Sequence, residues 1–177
     1  MTLMKASGIG ADRVGIVYAI TNTITLHQGN ILHLNSLQVA GDYAITLVAE
    51  FPETETMRTA IRDLHALPIV EGFLISAGEI ASDDHPMQEG TKYVITAMGH
   101  DRTGILESFS KSFWQRGITL QSVQAGIAAH VPFTGTPMFK CEFTVTLPAL
   151  FAPEPLFEEL VHTAVENELT LHITPIP

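Results

Sequence analysis

The sequence is short of cysteine, of positive charge and of long apolar runs, and each shortage closes off a class of protein. A single cysteine, Cys141, rules out an intramolecular disulfide. It sits in the alternating apolar stretch FKCEFTVTL, where it reads as a small buried hydrophobe. Lys and Arg number 9 against 19 Asp and Glu, a net charge of −10. The deficit is shared: 4 basic against 8 acidic residues in 1–81, and 5 against 11 in 82–177. With no basic face to displace counterions from a phosphate backbone, direct nucleic-acid binding is not expected. No apolar run approaches the ~20 residues that span a bilayer, so no membrane partner is expected. The opening MTLMK has no basic stretch followed by an apolar segment, so no secretory signal is read and a cytoplasmic setting is expected. Neither a P-loop nor a Gly-x-Ser-x-Gly nucleophile elbow occurs, no polar catalytic cluster is evident, and no cofactor is called for.

What the chain does have is a repeat. GADRVGIV begins at Gly10 and GHDRTGIL at Gly99, 89 positions later (99 − 10) in a chain of 177. The same offset pairs Asn30-Ile31-Leu32 with Thr119-Leu120-Gln121. Further on, Phe51-Pro52 matches Leu147-Pro148 at an offset of 96, so the second copy carries seven extra residues (96 − 89) around HVPFTGTPMF, His130 to Phe139. Order and spacing persist through both halves, which indicates a duplicated unit.

Each unit reads as β-α-β-β-α-β. TLMKASGIG and KYVITAMG form the first strands. Ile16, Val17, Ile20 and Ile24 recur at helical spacing, as do Ile105, Leu106, Phe109 and Phe113. Two β-branched and aromatic strands follow in each copy, about 31–40 and 43–51, then 118–130 and 138–147. A second helix is expected over 54–67 and 154–168, and a last strand in GFLISAG and LTLHITP. The fold class is therefore α+β, two tandem ferredoxin-like βαββαβ modules, at 1–81 and 92–177, joined by a polar linker at 82–91. Pro132, Gly135 and Pro137 mark a hairpin loop in the second copy, either a plain connection or a lid or contact surface.

Asp12 and Asp101 stand just before a helical stripe. One reading makes them N-caps that accept hydrogen bonds from the free helix amides. In the other, the flanking glycines leave a bare helix N-terminus, suited to a carboxylate or another anion. Arg13 and Arg102, on the first helical turn, are expected to pair with carboxylates of a ligand or of neighbouring Asp or Glu. His100, inside the second loop, is either a ligand contact and pH reporter or an exposed bystander. Glu158, His162 and Glu166 follow at i, i+4, i+8; they read as a solvated acidic face, and no metal site is expected. Trp114, beside Phe113, is expected to pack between layers.

The stretches GADRVGIV…GNILHL and GHDRTGIL…GITLQS resemble the ACT-domain signature, Gly-x-Asp-Arg-Pro-Gly-Ile-Val followed by Gly-x-Asn-Ile. Two such units filling the chain resemble the glycine cleavage system transcriptional repressor family. The first motif also resembles the ACT domain of formyltetrahydrofolate deformylase, but no hydrolase domain follows it in this sequence. The resemblance implies a non-enzymatic regulator whose modules pair side by side and hold a small, glycine-like amino acid at the ACT–ACT interface. The loop of one module would face the second-strand start of its partner. Carried over, the ligand-binding residues are Gly10, Ala11, Asp12, Arg13, Val14, Gly15 and Ile16 with Asn30, Ile31 and Leu32 in the first copy. In the second they are Gly99, His100, Asp101, Arg102, Thr103, Gly104 and Ile105 with Thr119 and Leu120. Loop amides would take the carboxylate, and the Asn30 carbonyl would accept from the α-ammonium. Val14 and Thr103 replace the family's proline, which leaves the turn less rigid. Thr119 replaces the second asparagine, so the two sites are expected to be unequal. The implied partners are the amino acid and a protein, such as a transcription factor of the glycine cleavage system, with a homo-oligomer in view. The alternative is a ligand-free protein–protein interaction module.

Overall fold

The computed structural model describes residues 1–80, 89–130 and 137–176. The chain divides into two compact units, Met1–Pro86 and Met87–Pro177. The first runs β1 (Thr2–Ala11), α1 (Ile16–Leu26), β2 (Asn30–Val39), β3 (Asp42–Phe51), α2 (Thr54–Ala66), a short 3₁₀ turn at Pro68–Val70, and β4 (Leu74–Ile80). The second runs β5 (Gly90–His100), α3 (Ile105–Trp114), β6 (Leu120–His130), β7 (Pro137–Pro148), α4 (Glu154–Glu166) and β8 (Leu169–Ile176). Both have the expected β-α-β-β-α-β order. Each forms one four-stranded antiparallel sheet, ordered β2-β3-β1-β4 and β6-β7-β5-β8.

Period-two alternation builds the sheets. Along β1, Met4 and Ala6 are buried while Lys5 and Ser7 are exposed, because successive side chains point to opposite faces. The inward rows meet the helix stripes. Ile16, Ile20 and Ile24 of α1 and Met57, Ala60 and Leu64 of α2 close the first core over Ile45, Leu47 and Ala49. In the second core, Phe109 stacks on Phe143 with ring centroids 5.7 Å apart. Cys141 is fully buried there, and burial pushes its thiol up to about 11.

Both units carry a β-bulge at the same place. In β2 the register shifts between Ile31 and His33, and in β6 between Leu120 and Ser122, so Leu32 and Gln121 are the extra residues. Their offset is again 89 (121 − 32), so the duplication extends to this irregularity.

Two expectations change. Of the expected linker at 82–91, residues 82–88 lie outside the described residues, and Gly90 and Thr91 belong to strand β5, paired with Pro148 and Leu147. Trp114 does not pack between layers: it is 77 % exposed. Ile105, Phe109, Ser112 and Phe113 set the buried face of α3, and one residue past Phe113 turns Trp114 by ~100° towards solvent. The 3₁₀ turn at Pro68–Val70 was not anticipated; it packs Val70 into the first core. The expected hairpin loop covers 131–136, which lie outside the described residues, and Pro137 opens β7.

Candidate functional site

Each glycine loop joins the first strand of its module to the first helix. Gly15 precedes α1 at φ 90°, ψ 3°, and Gly104 precedes α3 at φ 93°, ψ −2°. These are left-handed conformations, which explains glycine at both positions. Neither helix start has a side-chain cap. The N-cap reading of Asp12 and Asp101 is therefore corrected. The left-handed glycine takes the cap position three residues later, out of reach of the aspartate. Asp12 Oδ2 instead accepts from Gln38 Nε2 at 3.0 Å, tying the loop to the end of β2.

The first-turn amides are thus left open. The Ile16 N–H donates to the Arg13 carbonyl at 3.2 Å, and the helix ladder begins only with Ala19 N–H to the Gly15 carbonyl at 2.9 Å. Among the described residues, no backbone carbonyl accepts from the N–H groups of Val17 and Tyr18. The second module begins its ladder in the same way, Ser108 N–H to the Gly104 carbonyl at 3.0 Å. A Cβ built on Gly104 would meet nothing within 4 Å, and one on Gly15 only Ile69 Cδ1 at 3.9 Å.

The two arginines do the same work through different acceptors. Arg102 Nη2 pairs with Glu168 Oε2 at 2.6 Å, and this contact, with His100 nearby, holds the Glu168 carboxyl below its usual range. Among the described residues no Asp or Glu pairs with Arg13; its Nη1 donates instead to the carbonyls of Ile69 at 2.9 Å and Pro68 at 3.4 Å. The unforeseen 3₁₀ turn supplies those acceptors. Each arginine therefore fastens its glycine loop to the segment that leads into the last strand. Ala11 and Val14 are exposed, as are His100, Asp101 and Thr103. Ile16 and Ile105 are 2 % and 1 % exposed, and their side chains anchor the two cores.

The strand-start residues lie at the other end of the sheet. Gly10 pairs with Tyr43 and Asn30 with Glu50, seven positions apart on β3 (50 − 43), or about 24 Å at ~3.4 Å per residue. In the second module Gly99 pairs with Phe139 and Leu120 with Val145, six positions apart (145 − 139). Within one module the structure therefore does not bring the loop and the strand start together. Asn30 is exposed, Ile31 half-buried and Leu32 42 % exposed. Asn30 Nδ2 donates to Glu50 Oε1 at 3.0 Å, a partner the sequence analysis missed. Counting strand alternation back from Phe51 would have placed Glu50 beside Asn30, but only once the register was known. In the second module Thr119 is exposed and precedes the strand, and Gln121 Nε2 donates to the Thr146 hydroxyl. Thr146 stands at the position of Glu50 (146 − 96).

Elsewhere, His162 Nδ1 lies 3.5 Å from Glu166 Oε2 on the acidic face of α4. Among the described residues no three His, Cys, Asp or Glu side chains cluster as metal ligands. No helix among them is long and apolar enough to cross a membrane.

Two glycine-loop modules in one chain, each with a bare helix start, form a tandem ferredoxin-like fold. No family model matches the sequence, and no curated protein does. Solved structures do match. A protein of unknown function from Galdieria sulphuraria is 21 % identical over 99 % of both chains, with a TM-score of 0.82. A protein provisionally named as a glycine cleavage system transcriptional repressor is 15 % identical over 99 % of this chain and 97 % of its own, with a TM-score of 0.69. The ACT domain of GTP pyrophosphokinase from Chlorobium tepidum matches more loosely, at 20 % identity over 45 % of this chain and 100 % of that one, with a TM-score of 0.37.

Proposed function

We propose that the chain is a non-enzymatic regulatory protein that binds a small, glycine-like amino acid and passes the bound state to a protein partner. The observation that carries this reading is the repeated bare helix start behind Gly15 and Gly104. Open amides at the positive end of a helix suit the carboxylate of the ligand. Asp12 does not compete for them, because Gln38 holds it. The strand start carries the matching acceptors for an α-ammonium, Asn30 and its neighbour Glu50. No α-amino acid spans about 24 Å, seven β3 positions at ~3.4 Å each, so loop and strand start act on one ligand only when contributed by different modules. A ligand held in that way favours one assembly of modules over another, and its effect is limited to its differential affinity for the two. A transcription factor of the glycine cleavage system is the partner we propose, in line with the name given to one structural relative. The second reading, a ligand-free interaction module, is favoured by the exposed Leu37 and Val39 on the edge strand β2.

Thermal melting of the purified chain against the twenty amino acids at millimolar concentration separates the two readings. A ligand bound only by the native state stabilises by RT ln(1 + [L]/Kd), about 2.7 kcal/mol at 100 Kd. We expect a rise in melting temperature for glycine or a close analogue, abolished by Asn30→Ala and by Gly15→Val or Gly104→Val, whichever loop is used. No rise with any amino acid, together with a stable co-purifying protein, would establish the interaction module instead.

A further inference from the structure

We propose that Glu50 fixes the chemical class of the ligand: it is the counter-charge for an ammonium group, and of the two described strand starts the first alone supplies such an end. This rests on the amino-acid-binding reading above. Asn30 commits its NH₂ group to Glu50 Oε1 at 3.0 Å. The amide orientation is thereby set, and its carbonyl oxygen is left free beside the carboxylate. A ligand that approaches Asn30 meets two acceptors and one negative charge. None of the ion pairs among the described residues uses Glu50. Its cross-strand neighbour on β1 is Leu3, which offers no charge. Such a site demands a donor. An α-ammonium satisfies it, whereas the hydroxyl of a hydroxy acid brings one proton and no charge, and a keto acid brings neither.

The second module reverses each feature. Thr146 replaces Glu50 and is fully buried, the neutral Gln121 amide donates to its hydroxyl, and the cross-strand neighbour is Lys92. A neutral pair beside a lysine repels an ammonium group. The duplication has kept the bulge and the glycine loop in both copies but the anionic strand start in one.

The test is calorimetric titration of the full chain with three matched pairs: glycine and glycolate, alanine and lactate, serine and glycerate. We expect at least one amino acid to bind, its hydroxy analogue to bind at least tenfold more weakly, and saturation at one ligand per chain. Glu50→Gln keeps an acceptor for Asn30 and the shape of the side chain. It should leave the melting temperature of the ligand-free protein unchanged, weaken the amino acid about tenfold, and narrow the gap within its pair. Glu79→Gln, the same charge change on exposed β4, should do none of this. If the wild type binds an amino acid and Glu50→Gln binds it equally well, or if two equal sites fill, the assignment of Glu50 is wrong while the ligand reading stands. If none of the six probes binds the wild type, the ligand reading fails and takes this inference with it.

Discussion

Gly10 and Gly99 stand where the residue just before the last strand of each module passes close to the first strand. A Cβ on Gly10 would lie 2.6 Å from Phe73 Cδ2 and 3.0 Å from the Phe73 Cα, and one on Gly99 2.8 Å from the Glu168 carbonyl oxygen. The first glycine of the motif is therefore a packing requirement, whereas Gly15 and Gly104 are conformational ones with open space around them. The two roles predict different losses. Gly10→Ala forces backbone apart and should lower stability by roughly 1–3 kcal/mol. Gly15→Ala pays only for a left-handed alanine, about 1–2 kcal/mol. Gly8 predicts the opposite sign. It lies over a small apolar cavity of about 20 Å³ lined by Ile20, Leu47 and Leu64, and the second module has Ala97 at that position (97 − 89). A Cβ on Gly8 would find Ile75 Cγ1 at 3.4 Å, an ordinary contact. Gly8→Ala should therefore raise stability by about 0.4–1 kcal/mol, through the unfolded chain as well as the filled space. Urea denaturation of the three variants checks the order; a destabilised Gly8→Ala would show that the first core has no room.

At the scale of elements, the helices are joined by polar contacts on their outer edges. His27 closes α1, and its Nε2 lies 2.9 Å from Asp63 Oδ2 on α2. The His27 hydrogen bond, helped by Arg62, holds the Asp63 carboxyl below its ordinary value of 3.8. A lowered carboxyl pKa means that the folded state binds its proton less readily than the unfolded state. The stabilisation is therefore present above pH 3.8 and is lost as the pH falls below it, through the folded-state value. Asp63→Asn should thus be destabilising at neutral pH, and the difference from wild type should shrink as the pH falls below about 3.8 in urea titrations. A gap that is constant with pH would mean that the carboxylate contributes shape and not charge. On α3, the exposed Trp114 predicts tryptophan emission close to that of the free amino acid, changing little when urea unfolds the chain. A blue-shifted native emission would show that an assembly or a partner covers it.

The legibility of the sequence follows the range of the interactions. Element order and tandem organisation were legible, because Ile16-Ile20-Ile24 and Ile105-Phe109-Phe113 are local periodicities that recur at a fixed offset. The details of the site were not. The N-cap position of Gly15 depends on a backbone angle and not on a side chain. The arginine acceptors come from residues 55 and 66 positions away in the chain (68 − 13; 168 − 102), and Glu50 meets Asn30 only through strand register. Trp114 was misplaced for a related reason, since hydrophobicity alone does not fix helix phase.

Taken as a whole molecule, the chain presents an excess of negative charge in both halves and, in each sheet, a polar outer row such as Ser7, Asn35 and Thr46 in the first. Protein–DNA affinity rests on lysine and arginine releasing counterions from phosphates, with a slope of about −0.9 per contact in log–log salt dependence. Only nine basic residues are shared between two acidic modules, and at least four of them are engaged: Arg13 with carbonyls, Arg102 with Glu168, Arg116 with Glu159 and Lys140 with Glu142. Fluorescence anisotropy of labelled duplex DNA should therefore show no binding by the purified chain at low salt, where any basic protein binds best, with or without glycine. If the regulatory reading holds, adding the partner restores DNA binding, and the amino acid changes the affinity of the partner complex and not of the chain alone. Salt-dependent binding by the chain itself would place the regulatory contact on DNA directly.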